Sequence, residues 1–175
     1  MINQKIVIIG FMGTGKSTVA RQLGGKLNCL AIDLDELIAR RESRRPGEII
    51  EQDGENEFRK LETQLLREVL VEQSAGIIAV GGGAWTIAAN RRLIARRGAF
   101  TVWLDAPFEL CWKRIEAGGQ LRPLARSREM AEQLYLKRRP VYELADLMIS
   151  ISEKQTATEI ATKVSNLILA LRQKS

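Results

Sequence analysis

The sequence contains no histidine, few aromatic residues, two cysteines and no long hydrophobic run. Without an imidazole, any proton acceptor must be a carboxylate, a lysine, a tyrosine or water. Cys29 and Cys111 lie far apart and outside any Cys-x-x-Cys pattern, so neither a zinc knuckle nor a dithiol redox motif is indicated. We expect both to be buried free thiols. No apolar run reaches the roughly 18 residues of a membrane span, and no signal segment precedes the first predicted strand, so we expect a cytoplasmic location.

The overall composition is that of a globular protein. The 175 residues include 45% hydrophobic and 27% charged residues, which suits one domain with a single core. The net charge of +6 is compatible with nucleic-acid binding, but a pocket for anionic small molecules also needs positive charge. Charge alone therefore leaves both classes of partner open.

Residues 10–18, Gly-Phe-Met-Gly-Thr-Gly-Lys-Ser-Thr, form a glycine-rich phosphate-binding motif. An apolar run at residues 5–9 precedes them and a helical pattern follows, which is the strand, loop and helix order that this motif requires. The amides of the loop and the start of the helix attract anions. We expect Lys16 to reach the β- and γ-phosphates of a nucleotide and the Ser17 hydroxyl to bind Mg²⁺. A glycine-rich turn beside a surface lysine is the alternative.

Apolar strand-like runs alternate with helical patterns along the whole chain. The runs lie at residues 5–9, 29–32, 77–80, 99–104 and 147–151. Strands that alternate with helices after a phosphate loop predict a parallel α/β sheet. Thr156 and Glu159 form a capping box for the last helix, where we expect Leu167 and Leu171 to be buried.

Asp33 and Asp35 follow the second predicted strand, at the sheet edge where ligands of parallel sheets bind. One carboxylate could support the hydration shell of Mg²⁺ while the other meets a substrate hydroxyl. The alternative is purely structural, with Asp35 capping the next helix and Asp33 adding a negative charge nearby.

Three further segments carry polar or glycine residues at informative places. Arg59 and Glu62 are three residues apart on a long predicted helix, and as a surface pair they would matter little. Gly81, Gly82 and Gly83 follow the third strand, where a ligand near the backbone or a flexible turn would both need glycine. Residues 116–126 show neither helical nor strand periodicity, which indicates either a mobile flap with an arginine or an exposed connector.

The helix after this segment is predicted to end before Pro140.

Taken together, these motifs resemble the shikimate kinase family over nearly the whole chain. The resemblance rests on residues 10–18, 33–35, 54–59, 81–83, 122–124 and 138–142. It implies an ATP-dependent phosphorylation of the 3-hydroxyl of shikimate, with Mg²⁺ as cofactor. It also implies a three-layer α/β/α P-loop kinase with five parallel strands in the order 2-3-1-4-5, a helical substrate-binding region and a lid, usually monomeric.

The resemblance assigns roles residue by residue. The implied catalytic residues are Asp35 as proton acceptor, Lys16 and Arg122. The implied ATP-binding residues are Gly13, Thr14, Gly15, Lys16, Ser17, Thr18, Arg114, Arg122 and Gln155. The implied shikimate-binding residues are Asp35, Arg59, Gly81, Gly82, Gly83 and Arg138. The implied metal-binding residues are Ser17 and, through water, Asp33.

The implied layout is a single domain over residues 1–175, with a core at 1–32, 76–115 and 146–175. The substrate-binding region would span 33–62 and the lid about 116–128. Ala125 stands where the family commonly has leucine, and the spacing from Arg114 to Arg122 is slightly long, which affects the lid and not the reaction. A gluconate or nucleotide kinase, a nucleotide-binding regulator without turnover and a nucleic-acid-binding protein remain alternatives. We expect small-molecule substrates, with no nucleic-acid or membrane partner.

Overall fold

The computed structural model describes residues 4–72, 75–118 and 123–172, in which strands and helices alternate as predicted. The strands are β1 (Ile6–Ile9), β2 (Leu30–Asp33), β3 (Ala75–Ala79), β4 (Phe100–Asp105) and β5 (Leu147–Ser150). The helices are α1 (Lys16–Lys26), α2 (Leu34–Glu42), α3 (Pro46–Asp53), α4 (Glu55–Val71), α5 (Ala88–Arg96), α6 (Phe108–Ala117), α7 (Arg128–Tyr142) and α8 (Ala157–Arg172), with a 3₁₀ turn at Ala84–Thr86.

The five strands form one parallel sheet in the order β2-β3-β1-β4-β5, which confirms the predicted fold and strand order. In the central strand, Ile8 is in register with Ala79 on one side and with Val102 on the other. All four residues of β1 are fully buried. Helices cover both faces of a parallel sheet, which explains why its inner strands are continuously apolar. Because all strands run the same way, the segments after β1, β2, β3 and β4 meet at one edge.

Two helix ends differ from the sequence prediction. Asp33 and not Asp35 caps α2, because its Oδ1 accepts a hydrogen bond of 3.1 Å from the Glu36 amide. Helix α7 continues through Pro140 to Tyr142, where the prediction ended it. Proline removes only the donor to the Leu136 carbonyl. The last turn keeps a hydrogen bond of 3.2 Å from the Glu143 amide to the Arg139 carbonyl and gains one of 2.8 Å from the Trp85 indole to the Val141 carbonyl.

The capping and burial predicted for the last helix and for the two cysteines agree with the structure only in part. The capping box of α8 is confirmed, since the Glu159 amide donates to the Thr156 hydroxyl at 3.2 Å. Leu167 and Leu171, expected to be buried, are 37% and 45% exposed, because only one side of α8 packs against the domain. Cys111 is buried and Cys29 only partly so. In the described ranges, no helix is both long enough and apolar enough to cross a membrane.

Candidate active site

The loop between β1 and α1 has the geometry of an anion-binding site. Helix α1 begins at Lys16 with no side-chain cap and no acidic residue in its first turn, so its first amides and positive dipole end are available to an anion. The Lys16 ammonium donates a hydrogen bond of 2.9 Å to the Phe11 carbonyl, which keeps it folded over the loop. The Thr14 hydroxyl donates to the same carbonyl at 2.8 Å. Ser17 and Thr18 lie in the first turn of α1, beside these groups.

Helix α6 supports the loop from the other side. Gly13 has a φ of +79°, and a Cβ there would lie 2.5 Å from the Cys111 carbonyl oxygen, so only glycine fits. Arg114 donates hydrogen bonds to the carbonyls of Gly13 and Thr14 at 3.1 and 3.3 Å. Its guanidinium also lies 3.8 Å from a Cβ built on Gly15. The structure therefore brings Arg114 to the phosphate loop, whereas Gln155, after β5, uses its Oε1 to accept from the Ser152 amide at 2.8 Å.

Asp33 and Asp35 lie at the junction of β2 and α2, at the same sheet edge as the loop. One oxygen of Asp33 caps α2, and its other oxygen makes no hydrogen bond within the described ranges. Asp35 lies in the first turn of α2, and its Oδ1 is 3.0 Å from a Cβ built on Gly81. Its carboxylate therefore faces the segment after β3.

The three glycines after β3 leave room for side chains from three other elements. A Cβ on Gly81 would lie 2.6 Å from Glu62 Oε1, and a Cβ on Gly83 would lie 2.2 Å from Arg59 Nη2. A Cβ on Gly82 would lie 3.3 Å from Arg138 Nη1. The glycines therefore leave space for the charged groups, and a Cβ at Gly81 or Gly83 would displace the facing side chain.

The predicted pair of Arg59 and Glu62 is confirmed, but it is not the surface pair that would matter little. Arg59 Nη1 lies 2.7 Å from Glu62 Oε2, and the Glu62 side chain is 0% exposed. Glu62 Oε1 is buried without a hydrogen-bond partner among the described residues. Burial raises the pKa of Glu62 to about 7, while the guanidinium of Arg59 opposes the shift and the charge of Asp35 adds to it. A charged group this deeply buried is a mark of a functional site.

Arg138 is the second buried guanidinium of this cluster. Helix α7 places it at Gly82, where the side chain is 7% exposed and makes no ion pair with any residue that the structure describes. Burial lowers the pKa of Arg138, and the nearby charge of Arg59 lowers it further. Two desolvated guanidinium groups beside one buried carboxylate leave an excess of positive charge, which favours an anion.

Arg122, which is predicted to be catalytic and to bind ATP, lies outside the described residues. The chain on its C-terminal side contacts α3: a Cβ on Gly47 would lie 3.4 Å from Pro123 Cδ, and Arg126 pairs with Glu51 at 3.7 Å. This segment therefore borders the region after β2 that carries Asp35.

Sequence reasoning missed two contributors to the cluster, the burial of Glu62 and the role of Tyr142. The Tyr142 hydroxyl donates a hydrogen bond of 2.6 Å to the Gly82 carbonyl. Its spacing of four residues from Arg138 on one helix was the available signal, since residues at this spacing share a helix face. The spacing of three residues between Arg59 and Glu62 likewise indicated a shared helix face, but spacing does not reveal which face becomes buried.

The parallel sheet, the phosphate loop and the adjacent basic cluster define the class of P-loop kinases that act on small molecules. Residues 12–169 match the family model described as shikimate kinase. The chain therefore belongs to the shikimate kinase family.

Individual relatives agree with this assignment. The chain is 40% identical to shikimate kinase of Geobacter sulfurreducens over 167 residues, covering 92% of this chain and 91% of the relative. It is 37% identical to shikimate kinase of a Sulfurihydrogenibium species over 165 residues, covering 92% and 98%. Among solved structures, the shikimate kinase from Acinetobacter baumannii in complex with shikimate has a TM-score of 0.88 at 33% identity, covering 95% of this chain and 93% of that chain. A gluconokinase from Sinorhizobium meliloti, 18% identical with a TM-score of 0.66, shares the fold.

Proposed function

We propose that this protein transfers the γ-phosphoryl group of ATP to the 3-hydroxyl of shikimate, releasing ADP and shikimate 3-phosphate. The observation that carries the proposal is the pair Arg59 and Arg138. Both are largely buried, both lie against the glycines after β3, and Arg138 makes no ion pair within the described ranges. A carboxylate is the anion that two such planar groups bind with two-pronged hydrogen bonds. Shikimate, a ring acid with hydroxyl groups, supplies that carboxylate.

The donor side uses the phosphate loop. The amides of residues 13–18 and the ammonium of Lys16 would bind the β- and γ-phosphates, with Arg122 closing on the phosphoryl group that is transferred. Arg114, already held against the loop, and Gln155, at the carboxyl end of β5, are assigned to the adenine side. The protein does little covalent chemistry in this reaction, so charge neutralisation and alignment account for most of the rate.

Mg²⁺ fits the residues beside the loop. In kinases of this class the ion takes a hydroxyl, phosphate oxygens and water, so it needs few protein ligands. Ser17 stands at the start of α1, and the second oxygen of Asp33 is available for an ordered water. No group of three or more His, Cys, Asp or Glu side chains that could hold a metal occurs in the described part of the chain, which agrees with this ligand set. When bound, the ion would neutralise phosphate charge.

The acceptor side uses Asp35. Its carboxylate faces Gly81, at the same sheet edge as the phosphate loop, and would accept a hydrogen bond from the attacking hydroxyl and then its proton. Gly82 would add a backbone N–H to the bound acid. We assign residues 33–62 to substrate binding and residues of about 116–128 to the lid, within one domain. We also expect a cytoplasmic monomer that binds no nucleic acid or membrane.

One experiment tests the reaction against its alternatives. ADP release is measured with purified protein, ATP and one acceptor at a time: shikimate, gluconate or a nucleoside monophosphate, with and without a Mg²⁺ chelator. We expect turnover with shikimate alone, abolished by the chelator and restored by added Mg²⁺. Equal or faster turnover with gluconate or a nucleoside monophosphate would overturn the acceptor assignment. Acceptor-independent ADP release would indicate a nucleotide-binding protein of another function.

A further inference from the structure

Tyr142, the last residue of α7, contacts both Arg138 and the glycine segment at residues 81–83. It is 1% exposed, and its ring packs against Trp103 with ring centroids 6.0 Å apart. Its hydroxyl donates a hydrogen bond of 2.6 Å to the Gly82 carbonyl. The same hydroxyl and Arg138 Nη1 each lie 3.3 Å from a Cβ built on Gly82, and the two side chains interact directly. One hydroxyl therefore contacts both a side chain and a backbone group of the proposed acid site.

We infer that Tyr142 is a positioning residue for acid binding: its hydroxyl holds the Arg138 guanidinium and the peptide after Gly82 in one fixed arrangement. The inference rests on the proposed function, because it assigns to Tyr142 the orientation of groups that bind the shikimate carboxylate. Tyr142 itself does not touch the substrate in this account. It acts through Arg138 and through the backbone.

The backbone effect follows from peptide geometry. The Gly82 carbonyl and the Gly83 N–H belong to one planar trans peptide, so they point in opposite directions. When Tyr142 holds the carbonyl, it also fixes the orientation of this peptide relative to the preceding one, which carries the Gly82 N–H assigned to the acid. Glycine has the greatest freedom of any residue around its φ and ψ angles, and three in a row need an external support to stay in one conformation.

The side-chain effect follows from charge and burial. Arg138 is buried next to the like charge of Arg59, which pushes the two guanidinium groups apart. Tyr142 is the polar side chain that faces Arg138 from its own helix, one turn further on. A group that supports a binding residue in this way commonly changes affinity without contacting the ligand.

The hydroxyl also keeps its proton across the working range of pH. Burial raises the pKa of Tyr142 to about 12, while the charge of Arg138 opposes the shift. Tyr142 is therefore a neutral donor to Gly82 at any pH at which the enzyme would be assayed. The hydroxyl therefore donates unchanged between about pH 6 and about pH 9, whereas the pKa of Glu62, in the same cluster, is raised to about 7.

The test uses Tyr142→Phe, with Tyr135→Phe as the matched control on the same helix. The Tyr135 hydroxyl donates to the Ala106 carbonyl at 3.1 Å and accepts from Arg139 at 3.0 Å, so its loss leaves Arg138 and Gly82 untouched. We expect Tyr142→Phe to raise the KM for shikimate about 10-fold or more, as loss of a hydrogen bond to a charged buried group does. The KM for ATP should stay within about twofold in both variants, as should the KM for shikimate in Tyr135→Phe.

A double-mutant cycle shows whether Tyr142 acts through Arg138. In the Arg138→Lys background, Tyr142→Phe should raise the KM for shikimate by a smaller factor than it does in the wild type. Equal factors in both backgrounds overturn the Arg138 part of the inference.

The remaining outcomes separate the inference from the proposed function. An active wild type with an unchanged KM for shikimate in Tyr142→Phe overturns the inference alone, as does an equal rise in both KM values. A wild type without shikimate-dependent turnover overturns the proposed function and the inference with it. If Tyr142→Phe does not fold, Gly82→Ala inserts a Cβ at the same contact, and an unchanged KM for shikimate in that variant overturns the inference.

Discussion

Arg59 and Glu62, one turn apart on α4, form an ion pair of 2.7 Å in which the carboxylate is fully buried. The second carboxylate oxygen points at Gly81, on the side of Asp35, and has no hydrogen-bond partner in the described part of the chain. The pair thus fixes the Arg59 guanidinium, which we assign to the substrate, and keeps the Glu62 carboxylate in the interior at a cost in desolvation. This arrangement links the proposed acid site to the stability of the fold.

Glu62→Gln is expected to change how stability depends on pH. The pKa of Glu62 is raised to about 7 by burial, so between its ordinary value and pH 7 the folded protein binds a proton that the unfolded chain does not. The contribution of Glu62 is therefore fully present at low pH and is lost as the pH rises through about 7. Relative to Glu62→Gln, the wild type should lose about 3 kcal/mol between about pH 4.5 and about pH 8. Urea unfolding of both proteins across this range measures the effect, and parallel pH profiles would contradict it.

Asp35→Asn should lower kcat by about 100-fold or more, because it removes the proposed proton acceptor while keeping the side-chain shape. ATP binding, measured by calorimetry, should remain close to that of the wild type. Glu36→Gln is the matched control, since its neighbouring carboxylate is 47% exposed and pairs with Arg21. Unchanged turnover in Asp35→Asn would remove Asp35 from the mechanism.

Arg138→Lys should raise the KM for shikimate on the order of 10- to 100-fold, since an ammonium cannot reproduce the two-pronged contact with a carboxylate. ATP affinity should be nearly unaffected. Lys137→Arg, at the neighbouring exposed position, is the control and should leave the KM for shikimate unchanged. An effect confined to ATP would place Arg138 in the nucleotide site and contradict the assignment.

Gly83→Ala should displace Arg59 without unfolding the protein. A Cβ there would lie 2.2 Å from Arg59 Nη2, at the end of a long side chain that can move away. We expect the KM for shikimate to rise about 10-fold or more, and stability to fall because Glu62 loses its partner. Gly25→Ala is the control: nothing lies within 4 Å of its new Cβ, and an alanine in α1 should be neutral or stabilise by about 0.5–1 kcal/mol. An unchanged KM in Gly83→Ala would show that Arg59 does not bind the acid.

Much of the fold could be predicted from local patterns. Continuous apolar runs identified the strands, and the phosphate loop fixed the first strand, loop and helix. The strand order and the implied kinase architecture are confirmed. The end of α7 was not predictable, because Pro140 is a local signal to stop, whereas the hydrogen bond from Trp85 that holds the last turn comes from a segment 56 residues away.

The candidate site was predicted less completely than the fold. The structure brings Asp35, Arg59 and Arg138 together around the glycines, and their roles in binding and catalysis stay predictions. The sequence pattern placed Glu62 on the same side of α4 as Arg59, but burial of that side depends on packing against the segment after β3. The prediction that Leu167 and Leu171 are buried was wrong. An apolar pattern on α8 does not require that every apolar residue of the helix be covered by the domain.

The close fit between the glycines and the facing side chains also limits how this protein can diverge. A side chain at position 81 or 83 would occupy space now held by Glu62 or Arg59, and one at position 82 would be in tight contact with Arg138. A larger residue in the loop therefore keeps the present arrangement of charged groups only if the opposing side chain shortens in the same lineage. We expect related sequences to conserve these glycines and the facing side chains, or to substitute them together. Their substitution rate should be lower than that of residues on the exposed helix surfaces.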